Sequence, residues 1–143
     1  METGLLHLHN LLRWVILILL LISIYTTYTA TNNSNKKYWL FTLIAAHTTL
    51  LIGIYQVYNY YKRITDISPL PFKEIVKNKA NRFFLVEHPT YMVLSIILIT
   101  IAYTSTKKAK YKRAAILFAV ALLIIIAGIP WPGRAEIGRS LMP

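Results

Sequence analysis

Four blocks of almost unbroken apolar residues, at about 5–28, 38–61, 88–106 and 114–129, alternate with short stretches that hold nearly every charge in the chain. Each block approaches the roughly 20 apolar residues that an α-helix needs to cross a bilayer. The pattern predicts an all-α integral membrane protein, a four-transmembrane-helix bundle with antiparallel neighbours, forming one membrane domain over residues 1–143. The first block has no basic segment before it and is too long for a secretory signal, so it reads as a retained helix.

The connections refine this outline. Residues 29–37 are a short polar run that suits a tight link between neighbouring helices. Tyr38 and Trp39 open the second block and Tyr55, Tyr58, Tyr60 and Tyr61 close it, which predicts an aromatic belt at each interface. In the longest connection Phe72, Ile75 and Val76 are spaced for one face of a helix, with Lys73, Glu74, Lys77 and Lys79 between them. That spacing fits a short interfacial helix; an irregular polar loop is the alternative. Pro89 suits the first turn of the third span, where a missing N–H is harmless. Pro130 and Pro132 stop the fourth, and Trp131 is placed to anchor it at the interface.

Charge changes the picture only in one respect. The net charge of +11 would point to nucleic acid in a soluble protein, but here the basic residues lie between apolar blocks and face lipid headgroups. Membrane lipids are the expected partners, and nucleic acid is not. Lys36, Lys37, Lys107, Lys108, Lys110, Lys112 and Arg113 fall on one side with no acid among them, so the positive-inside rule favours those loops in the cytoplasm and the N-terminus outside.

The chemistry-bearing residues are few. Without cysteine the chain has neither disulfides nor thiolate clusters, and its five acids give no carboxylate-based catalytic or metal centre. No nucleophile elbow, zinc-protease motif or phosphate-binding loop is present. What remains is four histidines, His7, His9, His47 and His88, in or at the edge of apolar segments, where ionisable groups are costly and usually functional. His9 and Arg13, four residues apart, share a helix face that His7 does not. Counting depth at about 1.5 Å per residue puts His9 and His88 near the same membrane edge and His47 roughly 10 to 15 Å deeper.

Two imidazoles on different helices are what a b-type haem takes as axial ligands, with arginines at the membrane edge for its propionates. Arg13, Arg82 and Arg134 fall on that edge. His9 with His88, His47 with His88, and His47 with His9 are the candidate pairs. Met92 is a weaker ligand candidate, and Glu87 is placed to orient an imidazole or relay a proton, with a solvated first-turn acid that suits the helix dipole as the alternative. A copper site at His7, His9 and His88 is a further alternative. So is a non-catalytic assembly subunit of a larger membrane complex, in which the histidines bond across helices.

The segments His9-Asn10-Leu11-Leu12-Arg13-Trp14, Ala46-His47, Val86-Glu87-His88-Pro89 and Gly128-Ile129-Pro130-Trp131-Pro132 resemble small bacterial four-helix membrane proteins labelled cytochrome b, a likeness covering the whole chain. The resemblance implies a haem b protein in the cytoplasmic (inner) membrane of a bacterium. The expected activity is electron transfer with the quinone pool or with another membrane or redox protein.

Overall fold

The computed structural model describes residues 2–31 and 36–139, and of Glu2 and Thr3 the backbone alone. The described residues form helices α1 (Glu2–Tyr28), α2 (Lys37–Ile67), α3 (Phe72–Ile75), α4 (Lys79–Arg82), α5 (His88–Lys107) and α6 (Tyr111–Gly128), with a π-helical turn at Phe83–Glu87 joining α4 to α5. Among the described residues four continuous helical stretches are long and apolar enough to cross a membrane: Gly4–Tyr28, Lys37–Ile67, Lys79–Lys107 and Tyr111–Gly128. The protein is a multi-pass four-helix bundle. α1 packs on α2 and α6, and α5 packs on the same two, so α1 and α5 stand at opposite corners.

In lipid the hydrophobic effect does not drive helices together, and close packing of small residues with interhelical hydrogen bonds does so instead. α6 presents Ala114, Ala121 and Gly128 at a seven-residue interval, and α5 answers with Ser95, Ala102 and Ser105, all buried. A Cβ on Gly128 would lie 2.7 Å from Cβ of Tyr91, so the two backbones approach as only glycine permits. α1 and α2 are joined by polar contacts at the other end of the bundle. The Ser23 and Thr42 hydroxyls are 2.8 Å apart, and Trp39 Nε1 donates to Thr26 Oγ1 at 2.9 Å.

That last bond corrects one expectation. Trp39 is 0 % exposed and belongs to the core rather than to an interfacial belt, because Thr26 supplies the acceptor its indole N–H needs. The boundaries differ too. α2 runs on to Ile67, and the third span begins at Lys79 rather than at Pro89. Pro89 lies inside that span, where its ring would collide with the Leu85 carbonyl of a regular α-helix. The π-turn widens the ladder there, with the His88 N–H donating to the Phe83 carbonyl five residues back.

The expected interfacial helix reduces to the single turns α3 and α4. The Asn78 side chain accepts from the Asn81 N–H and starts a new helix, which interrupts the amphipathic run. Ile75 is buried, and Phe72 rests against Tyr61 with ring centroids 6.1 Å apart.

Candidate functional site

The start of α1, the late part of α2, the π-turn and the end of α6 converge at one end of the bundle, and the site is built there. On α1, His9 and Arg13 lie one turn apart and are half-buried, while His7 is exposed. The Arg13 guanidinium lies 5.6 Å from the centre of the Trp14 ring. α2 passes His9 at Gly53, where an added Cβ would touch the His9 Cε1 at 3.5 Å. One turn on, Gln56 Nε2 donates to the Leu5 carbonyl at 3.1 Å and ties α2 to the first turns of α1.

On the opposite corner, the π-turn and the start of α5 turn Phe83 and His88 to the same side, with ring centroids 6.0 Å apart. His88 Nδ1 donates to the Gly128 carbonyl of α6 at 2.8 Å. A carbonyl can only accept, so Nδ1 carries the proton and the other ring nitrogen, Nε2, keeps its lone pair. The rings of His9 and His88 are 6.4 Å apart, centroid to centroid. His9 Nδ1 is buried and has no hydrogen-bond partner among the described residues.

The cap of this end comes from the C-terminal segment. Arg134 donates to the carbonyls of Ala127 (3.2 Å) and Ile129 (3.1 Å), satisfying the frayed end of α6. Its guanidinium also stacks 5.2 Å from the centre of the Phe83 ring, and that of Arg139 lies 4.4 Å from the Phe84 ring. Ile137 of the same segment is buried.

The structure thus brings His9, Arg13 and His88 together, with Arg134 one aromatic ring away. It does not bring His47 to them. That side chain is on the outer face of α2, exposed, with Nδ1 2.9 Å from the Leu43 carbonyl. Arg82 and Glu87 are paired with each other at 2.9 Å, so the imidazole-orienting acceptor is the Gly128 carbonyl rather than Glu87. Met92 packs its methyl group against Gly128. Among the described residues no three of His, Asp and Glu converge on one point, so the copper reading retains His9 and His88 without His7.

Comparison with family models, with curated proteins and with solved structures finds no match.

Four residues that shape the site were not among the site candidates read from the sequence. Gln56 was visible as an amide inside an apolar block. Gly53 and Gly128 were visible as the glycines of the second and fourth spans. Phe83 carried no signal, because only the π-turn aligns it with His88.

Proposed function

We propose that the protein is a membrane-embedded b-type haem protein that passes electrons between the quinone pool or a partner enzyme and another redox protein. The observation that carries the reading is the facing pair of imidazoles. A metal holds an imidazole nitrogen at about 2.0 to 2.1 Å, and the ring centre lies roughly 1.1 Å beyond, so two imidazoles that held one metal between them would have centroids about 6.2 to 6.4 Å apart. The 6.4 Å between His9 and His88 fits that spacing.

The nitrogens fit as well. His88 has one nitrogen donating to a backbone carbonyl, the second-sphere bond that fixes ring orientation and raises basicity in metal-bound histidine. His9 keeps a buried ring nitrogen without a partner, an arrangement a ligand would relieve. Arg13, on the same face as His9, is the guanidinium placed to meet a propionate. His9 and His88 would hold the haem, which would supply one-electron oxidation and reduction there, and the surrounding helices would exclude water from it. Residence in a bacterial cytoplasmic membrane, with the N-terminus outside, belongs to the same proposal. It is supported by the acid-free cationic loop at Lys107–Arg113.

One observation favours a second reading. The bond from His88 to Gly128 joins α5 to α6 by itself, as an assembly subunit without cofactor would require. Reduced-minus-oxidised spectra of the protein expressed with added haem separate the two. A Soret band that disappears in both His9→Ala and His88→Ala is the expected result. A colourless wild-type protein would remove the haem reading.

A further inference from the structure

His47 poses a problem that the inward-facing site does not. It lies near the middle of the second span, on the outer face of α2, in a shallow depression of about 320 Å³ formed with Leu43, Ile44, Thr48 and Leu51. Its Nδ1 donates to the Leu43 carbonyl at 2.9 Å, so Nε2 presents an unused lone pair to the hydrocarbon. The adjacent Thr48 hydroxyl has no partner among the described residues either. That is unusual in this molecule. The neighbouring Thr42 and Thr49, and Ser95, Thr100 and Ser105 on α5, all bond a backbone carbonyl. A bare acceptor beside a bare donor is strongly disfavoured where no water can reach, and histidines within spans otherwise face protein or a wet cavity.

The residues around this pair form one continuous exposed face of α2. Leu40, Ile44, His47, Leu51, Ile54 and Tyr58 are all exposed and follow one another at steps of four, three, four, three and four. That spacing is what a coiled-coil seam requires, and one polar residue within such a seam is the device that fixes register and partner number. The outer faces of the other spans carry hydrocarbon at this depth, such as Ile18 and Leu21 on α1 and Val120 and Leu123 on α6.

We infer that the outer face of α2 is a homodimer interface, in which His47 of each copy accepts a hydrogen bond from Thr48 of the other. Two copies inserted the same way up present their α2 seams in parallel. In knobs-into-holes packing a seam residue enters a hole that includes the partner's equivalent residue and its flanking neighbour. His47 is the seam residue and Thr48 its flank, so one two-fold axis satisfies both free groups twice over. The inference is independent of any cofactor at His9 and His88.

The absence of cysteine makes the test direct. Ile44→Cys and Leu51→Cys in the full chain should each give a disulfide-linked dimer in oxidised membranes, whereas Leu21→Cys and Leu123→Cys should not. Thr48→Val preserves shape and removes the donor. With Leu51→Cys it should cut cross-linking, and in single-molecule photobleaching in vesicles it should weaken the dimer roughly tenfold. His47→Leu should do the same. A monomer in vesicles, equal cross-linking at Leu123→Cys, or a Thr48→Val dimer as tight as wild type would overturn the inference. So would a complex in native membranes that contains one copy of this chain.

Discussion

Gly128 couples the packing of the bundle to the geometry of the site, and its replacement by alanine tests both. An alanine Cβ would lie 2.7 Å from Met92 Cε and 2.7 Å from Tyr91 Cβ. Carbon atoms rest at about 3.5 to 4.0 Å, so something must give by roughly an ångström. The Met92 methyl can swing aside, but the Tyr91 Cβ moves only with the α5 backbone. Overpacking of this kind typically costs about 1–3 kcal/mol. Separating α5 from α6 also lengthens the 2.8 Å bond from His88 to the Gly128 carbonyl, worth about 1 kcal/mol more. Gly128→Ala should therefore lose about 2–4 kcal/mol in reversible unfolding in detergent micelles. Gly4→Ala is the control, because nothing lies within 4 Å of the added carbon. Alanine's better helix propensity should leave that variant unchanged or up to about 1 kcal/mol more stable. If Gly128→Ala unfolds within about 0.5 kcal/mol of wild type, the close approach of α5 and α6 is not what holds this end together.

Other contacts give sharper, smaller numbers. Thr26→Val strands the buried indole N–H of Trp39 and should destabilise by about 1–3 kcal/mol, and a variant as stable as wild type would deny that Trp39 is anchored by this bond. A double-mutant cycle of Ser23→Ala and Thr42→Val should return a coupling of about 0.6 kcal/mol, with about 1.7 as the ceiling for interhelical bonds in membranes; zero coupling would contradict their 2.8 Å contact. The ion pair of Arg82 and Glu87 has side chains 48 % and 40 % exposed, so Arg82→Ala should change stability by less than about 1 kcal/mol.

The four spans were legible because hydropathy needs only composition and length. Which way each residue faces was legible in α1, where His9 and Arg13 share a face by simple spacing. It was missed in α2 because aromatic belts report depth and say nothing about angle. The angle was nonetheless encoded. Thr42, Ala46, Thr49, Gly53 and Gln56 form a stripe of small and polar residues at steps of four and three, and that stripe faces the bundle. His47 lies instead in the outer seam with Leu40, Ile44, Leu51, Ile54 and Tyr58, which turns the imidazole outward. The early start of the third span was hidden by Pro89, since proline marks helix starts far more often than it marks a π-turn. Trp39 was misplaced because its partner, Thr26, lies on another helix.

The two ends of the bundle are held by different means, and the difference bears on His9. At the end containing Ser23, Thr42 and Trp39 the buried side-chain polar groups are satisfied within the protein. At the other end His9 Nδ1 is buried without a partner among the described residues. A residue selected only to join helices gains nothing from an unpaired nitrogen, because leucine would fill similar space without the desolvation penalty. If His9 serves a ligand, His9→Leu should leave the cofactor-free protein more stable than wild type by about 1–3 kcal/mol while abolishing any Soret band. If His9 serves assembly, the same substitution should lower stability, because its ring contact with His88 across helices would be lost. Thermal unfolding of the two proteins expressed without added haem decides between these signs, and a destabilised His9→Leu would move His9 from the candidate ligands to the structural framework.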